Sequence, residues 1–518
     1  MPMLFRLFPA LLLAALASPV FGAPATRPNV LFIAVDDLRP EFGAYGATHV
    51  KSPNLDRIAK AGVTFTRAYC QQAVCSPTRS SLMTGTRPDT TKVWDLVTHF
   101  RAALPDVVTL GQHFKNHGYF VQGMGKIYHG SLDDAPTWSV PWSSPKAIKY
   151  GLEVNQKLDQ RQFETAADGQ AATKARGKGK KNASADTKVA DGPPASGLNV
   201  RGPAFEAADV PDSTFLDGKV ADLAVSTLQE LSRKKEPFFL AVGFAKPHLP
   251  FVAPKKYWDL YDPAKIELAP NKFRPRGAPD YAILPGGELR NYHGIPVDSI
   301  PDDLARQLKH GYYASISYMD AQLGRVLDEL DRLGLRENTI IVLWGDHGWK
   351  LGEHDAWCKH SNSENDTHAP LLISAPGMKA VGAKSGALVE FVDIYPTLAE
   401  LAGLPLPGHL EGSSMKPLLD QPNRPWKTAA FSQYPRAKAQ TKSANGLMGY
   451  SMRTDRYRFT LWVDRTDATK IDAIELYDHQ RDPLENTNLA VDPAHARLVQ
   501  QMTAQWQKGW RGARPPSS

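Results

Sequence analysis

Two stretches of this chain restrict its fold more than any other feature. Asn29-Val30-Leu31-Phe32-Ile33-Ala34-Val35 and Thr339-Ile340-Ile341-Val342-Leu343-Trp344 are continuous apolar runs rich in β-branched residues. Runs of that length and composition predict strands buried on both faces of a mainly parallel sheet. Each run ends in acid: Asp36-Asp37 after the first, Gly345-Asp346-His347 after the second. One Asp-Asp pair alone reads as a solvated turn. The repeat places carboxylates where two buried strands emerge, the edge at which open α/β sheets hold ligands. Three carboxylates and an imidazole suit a divalent cation; the oxygen-rich set favours Ca²⁺, and the histidine raises Mg²⁺ or Mn²⁺ as alternatives.

The stretches around these runs alternate in type. Residues 52–62 predict a helix opened by Ser-Pro and stopped at Gly62, followed by the short strand Val63-Thr64-Phe65. Residues 108–117 read as a helix, 119–124 as a strand and 238–244 as another buried strand. The alternation predicts an α/β fold, a large mainly parallel central sheet flanked by helices. Further on, 457–463 alternates like an exposed strand, 475–478 suggests a second strand, and 494–509 a closing helix. Residues 437–446 are small and polar, a linker by composition. The expected organisation is therefore a main domain over 26–436 and a smaller C-terminal subdomain, with an antiparallel sheet and a helix, over 437–518.

Residues 1–25 have the form of a secretory signal: Arg6, an apolar stretch from Leu11 to Ala17, and Ala23-Pro24-Ala25 as cleavage site. No later segment approaches the apolar length of a membrane span, so an exported protein without a membrane anchor is expected, periplasmic or extracellular. Cys70, Cys75 and Cys358 are the three cysteines, too few for a multi-bridge scaffold; Cys70 and Cys358 could pair after export or remain free thiols. The net charge of +7 is concentrated in a Gly/Ala/Ser-rich insertion at about 165–200, where six basic residues between 174 and 188 face Asp186 alone. It reads as a solvated loop and implies no nucleic-acid partner.

Between the two acid-tipped runs lies Cys75-Ser76-Pro77-Thr78-Arg79-Ser80-Ser81-Leu82-Met83-Thr84-Gly85. An isolated C-x-P-x-R would be weak, but the full C-x-P-x-R-x4-T-G spacing resembles the formylglycine-dependent sulfatases of the alkaline-phosphatase-like superfamily. Thr78 stands where that pattern most often has Ser. The resemblance implies that a maturation enzyme oxidises Cys75 to formylglycine. Its hydrate is a nucleophile that, once sulfated, can collapse back to the aldehyde, whereas a sulfated thiolate or alkoxide would be stuck.

The same resemblance implies a metal set of Asp36, Asp37, Asp346, His347 and the Cys75-derived oxygen, and assigns further roles. Gly125-Lys126-Ile127-Tyr128-His129 supplies a sulfate-binding Lys126 and a proton acceptor, His129. Lys246-Pro247-His248-Leu249-Pro250 supplies His248 as general acid to the leaving alcohol. Lys359 and Arg79 join Lys126 in holding the sulfate. Gln71-Gln72-Ala73-Val74 before the cysteine, Arg87-Pro88-Asp89-Thr90-Thr91 after it, and Leu351-Gly352-Glu353-His354 are similar to the iduronate-2-sulfatase branch. That branch implies a sulfated glycan substrate and exo-removal of 2-O-sulfate from a terminal uronic acid. A phosphonate or phosphate ester hydrolase of the superfamily is the alternative. Trp94, Asp95, His99, Trp349 and Trp357 lie near the motifs and are candidates for the sugar pocket.

Overall fold

The computed structural model describes residues 27–160 and 201–516; the expected signal and the basic insertion fall outside them. The central sheet has seven strands, β1 (Asn29–Val35), β2 (Val63–Phe65), β3 (Phe120–Gly125), β4 (Phe238–Phe244), β5 (Thr339–Gly345), β6 (Leu371–Ser374) and β7 (Lys384–Ser385), in spatial order β7-β2-β6-β5-β1-β4-β3. Only β6 runs against the others. The sheet is thus mainly parallel, as the alternating sequence predicts.

Its strands are apolar throughout because both faces are covered. Successive side chains of a strand point to opposite faces. Leu31, Ile33 and Val35 accordingly join one core cluster, and Val30, Phe32 and Ala34 join the other. β4 and β5 divide in the same way. Helix α1 (Pro53–Ala61) packs on the first face through Leu55 and Ile58. Helix α2 (Cys75–Thr84) covers the second through Leu82 and Met83, with α3 (Leu110–Asn116) beside it through Leu110 and Phe114. Helices α4 (Leu216–Leu231) and α5 (Asp302–Arg332) complete the first face.

The carboxyl ends of β1, β3, β4 and β5 lie side by side. Val35 pairs with Gly345 on one side and Phe244 on the other, and Gly125 pairs with Gly243. The chain exits them as Asp36, Lys126, Ala245 and Asp346, three of which stay tied to a neighbouring strand through backbone N–H groups: Asp36 to Phe244 O (3.1 Å), Asp346 to Val35 O (3.2 Å) and Lys126 to Gly243 O (2.9 Å). Two glycines permit the last of these. A Cβ on Gly125 (φ +66°) would lie 2.1 Å from Gly243 O, and one on Gly243 would lie 2.3 Å from the Lys126 backbone. Residue 126 can lie across β4 only because neither position has a side chain.

A second, antiparallel sheet follows, formed by β8 (Ala429–Arg436), β9 (Leu447–Thr454), β10 (Tyr457–Asp464) and β11 (Asp467–Asp478) in sequential order, with α6 (Ala496–Gln507) closing the chain. Two expectations change here. Residues 437–446 connect β8 to its immediate neighbour β9, so they join two strands of one sheet, and a division at 436/437 would cut that sheet. And β10 is not an exposed strand: 458–463 are buried on both faces, because Phe459, Leu461 and Val463 enter the small core while Arg458 and Trp462 are covered on the other side. All three cysteines are buried and free, so Cys70 and Cys358 do not pair.

Candidate active site

The strand ends deliver Asp36, Asp37, Asp346 and His347 into one buried cluster, and α2 presents Cys75 to it from its first turn. Cys75 Sγ lies 3.5 Å from His347 Nε2. His347 Nδ1 is 2.9 Å from the Gly348 carbonyl, which can only accept a hydrogen bond. Nδ1 therefore donates to that carbonyl, and Nε2 faces Asp37 Oδ1 (3.3 Å) and Asp346 Oδ1 (3.5 Å). The Asp37 N–H donates to Asp346 Oδ1 (3.0 Å), joining the two strand ends.

Three cations are seated on the three acids. Arg79, one turn beyond Cys75 on α2, bonds Asp346 Oδ2 through Nε (3.0 Å) and Asp36 Oδ1 through Nη2 (3.0 Å), and donates to the carbonyls of Lys126 and Ile127. It is fully buried. Its guanidinium is occupied holding the carboxylates in place, and it does not line the chamber above them. Lys126 Nζ is paired with the other oxygen of Asp36, and Lys359 Nζ lies 2.9 Å from Asp37 Oδ1. Burial pushes the Asp36 carboxyl up, but Lys126, His248 and Arg79 outweigh it and hold the group well below the usual carboxylate range. Burial likewise works against the Lys359 ammonium, and Asp37 with Glu288 more than restores it.

Above the cluster opens a cavity of about 390 Å³, lined among others by Cys75, Lys126, His129, His248 and Lys359. Five of the six side chains expected to act on substrate therefore share one chamber, Arg79 being the exception. His248 stands on the β4 exit loop. Asp217, near the start of α4, accepts the backbone N–H groups of Ala245 and Lys246 (2.8 and 2.9 Å), and Lys246 Nζ donates to the His248 carbonyl (2.9 Å). The His248 ring bonds the Leu249 carbonyl through Nδ1 (2.6 Å), leaving Nε2 toward the cavity. His129 Nδ1 is buried with no hydrogen-bond partner. Burial, then the charge of Lys126, lowers the His129 pKa to about 4, so the ring is neutral at ordinary pH.

Arg201, Asn291, His360, Tyr434 and Glu288 also line the chamber and went unread in the sequence; Glu288 makes the most direct contacts. Glu288 bridges His248 and Lys359, with Oε1 3.1 Å from His248 Nε2 and Oε2 2.8 Å from Lys359 Nζ. It sits in a four-residue helical turn after Gly286, in a stretch with no periodicity to mark it. Of the aromatic candidates, Trp94 lines the chamber, as does Asp95. Trp349 and Trp357 are instead core residues, and Trp349 lies under Lys359, its ring centroid 4.8 Å from Nζ. His99 caps the short turn 100–102 by accepting the Arg101 N–H.

Against known families, residues 28–404 match the sulfatase family. The chain is a sulfatase. Residues 352–510 also match the family described as N-sulphoglucosamine sulphohydrolase, C-terminal. Iduronate 2-sulfatase of Mus musculus is 35% identical to this sulfatase over 94% of the chain and 95% of the relative. Among solved structures, a phosphonate monoester hydrolase from Silicibacter pomeroyi shares the fold with a TM-score of 0.70 at 23% identity, over 94% of this chain and 96% of that one. A 2-O GAG sulfatase does so with a TM-score of 0.64 at 22% identity, over 93% and 91%. The sulfatase is thus a sulfuric ester hydrolase of alkaline-phosphatase-like architecture. Among its described residues, no helix is long and apolar enough to cross a membrane.

Proposed function

We propose that this sulfatase acts on a glycan, removing 2-O-sulfate from a terminal uronic acid by a formylglycine-dependent route. The observation that carries the mechanism is the seat of Cys75 between the buried acid cluster and a chamber lined by two lysines and three histidines. The uronic acid rests on the likeness to iduronate 2-sulfatase along nearly the whole chain.

The donor set fits a hard divalent cation, Ca²⁺ before Mg²⁺ or Mn²⁺. Ligand atoms of Asp36, Cys75 and Asp346, and of Asp37, Cys75 and His347, lie within 4.8 Å of one another, and His347 already points Nε2 inward. Bound there, the ion would supply positive charge against the nucleophile and the sulfate oxygens, and formylglycine at position 75 would supply a hydrated aldehyde as nucleophile. Lys126 and Lys359 hold the sulfate by charge-assisted hydrogen bonds. His248 Nε2 gives its proton to the bridging oxygen as the S–O bond to the alcohol breaks, since an alkoxide is a poor leaving group. His129, neutral and unpartnered at Nδ1, takes up the proton released when the hydrate expels sulfate. Arg79 keeps Asp36 and Asp346 in place throughout.

Residues 1–25 would direct export to the periplasm or beyond, where the glycan is met, and a maturation enzyme would convert Cys75. The test is sulfate release from a panel of defined sulfated saccharides, with the mass of the Cys75 peptide measured alongside. Release from terminal 2-O-sulfated uronic acids is expected. Release only from other positions discards the substrate, and full activity with an unmodified thiol discards the mechanism.

A further inference from the structure

A second cavity, of about 440 Å³, lies on the other side of the wall that backs the catalytic chamber. The wall is built from residues 71–74 and β8, joined where the Gln433 N–H donates to the Gln71 carbonyl (2.8 Å). Gln71 and Gln433 line the second cavity, whereas Val74 and Tyr434 line the catalytic one.

The lining is unlike that of the catalytic chamber. Two half-buried tryptophans, Trp506 and Trp510, lie beside Tyr450, whose ring centroid is 6.0 Å from that of Trp506. The Arg87 guanidinium is held by Glu390 behind the lining, which leaves Asp89 and Glu411 against Arg511. Asp89 accepts from Gln433 and Tyr450, and Glu411 from the Arg87 N–H and Thr90; each carboxylate oxygen retains a lone pair for a further donor. Gln71 is almost wholly buried, yet neither its amide nitrogen nor its amide oxygen has a hydrogen-bond partner. A buried amide with nothing to bond is costly and calls for a ligand offering both a donor and an acceptor.

We infer that this cleft is a second saccharide site, distinct from the catalytic chamber, which binds unsulfated pyranose rings. Sugar C–H faces stack on aromatic rings, and vicinal hydroxyls pair with carboxylates, amides and guanidinium groups; the cleft holds all of these with no excess of positive charge to demand a sulfate. The inference rests on the glycan reading above, since a polymeric substrate offers rings beyond the one being hydrolysed.

The test uses the full wild-type chain and a chemically desulfated uronate–glucosamine tetrasaccharide, with inorganic sulfate in excess to fill the catalytic chamber. Saturation-transfer NMR is expected to show the tetrasaccharide still bound. Its displacement by sulfate, or no binding at all, overturns the inference without recourse to any variant. Trp510→Ala is expected to weaken tetrasaccharide binding at least tenfold and to lower kcat/KM about tenfold on a polymeric substrate, leaving hydrolysis of a small aryl sulfate unchanged; Trp510→Phe restores much of both. Equal losses on polymer and aryl ester mark a structural role and overturn it. If the enzyme cleaves aryl sulfate but no saccharide, the glycan reading has failed; if it cleaves glycans equally well with and without Trp510, only the second site has.

Discussion

Two of the places where the molecule buries charge heavily are built to different ends. In the seam between main body and C-terminal sheet, Arg458 of β10 bonds Glu485 (2.7 Å) and Glu364, Arg453 adds a contact to Glu364 (3.2 Å), and His479 closes on Glu485 (2.9 Å). The Arg458 and Glu485 side chains are 2% and 3% exposed. At the strand ends the acids are equally buried, but the groups above them, Lys126, His248 and Lys359, line a cavity of about 390 Å³, whereas the space beside Arg458 and Glu485 is only about 10 Å³. In the seam every charge is satisfied within the protein, so the network can only fasten. At the site some charge is left facing open space, so the network can receive an anion. Burial alone does not mark a functional cluster; an outlet does.

Substitutions at the two places should therefore separate activity from stability. The largest effect expected is on turnover at Cys75: Cys75→Ala lowers kcat by about 10³-fold or more while leaving the melting temperature near wild type, read by sulfate release and by thermal unfolding. His248→Asn comes next, with a loss of about 10²- to 10⁴-fold. That loss should be greater for an alkyl sulfate than for an aryl sulfate, whose phenolate leaves without a proton; equal losses on both would remove His248 from the general-acid role.

The seam should respond in the opposite sense. Arg458→Ala leaves Glu485 and Glu364 buried beside too little positive charge, a change worth about 3–5 kcal/mol. It should appear as a lowered denaturation midpoint with activity per folded molecule preserved. A smaller effect follows from pH. Burial pushes Glu485 up, but Arg458 and His479 bring its pKa down to about 2 from an ordinary 4.5. A folded-state pKa depressed in this way adds stability that is complete above the unfolded value and is lost as pH falls from about 4.5 through 2. Glu485→Gln should flatten the acid limb of a melting-temperature profile; an unchanged limb would show that other carboxylates govern acid unfolding. The smallest effect is expected at Glu288, which bonds His248 and Lys359 at the edge of the chamber. Glu288→Gln should cost about tenfold or less in kcat/KM, with stability nearly unchanged.

The sequence made legible those parts of the site that are local to an element. Asp36, Asp37, Asp346 and His347 follow directly from buried strands, so periodicity alone predicts that they emerge together. Cys75 and Arg79 are one helical turn apart, and the motif spacing records that turn. What Arg79 touches was not legible, because it depends on how α2 lies against the ends of β1 and β5. Glu288 was missed for a similar reason: its partners come from β4 and from the loop after β5, and nothing in Pro285-Gly286-Gly287 marks an acid about to be buried. Trp349 and Trp357 show the converse error, since nearness to a motif along the chain does not decide whether a ring faces the cavity or the core. The parallel sheet was readable from its apolar runs. The antiparallel one was half read, because β8 ends in a motif that looked like the close of the main domain.

The wall between the two cavities has a consequence for how this chain can be altered. Gln433 and Tyr434 are consecutive on β8 and reach different cavities, and their pairing with Tyr450 and Gly449 on β9 fixes which goes where. Because strand side chains alternate, a one-residue slip would send each to the wrong side. Insertions in the connection 437–446 leave that pairing intact, whereas a single deletion inside 429–436 would rewrite both cavities at once. Descendants of this enzyme, natural or engineered, can retune either chamber by exchanging residues on this strand but not by changing its length.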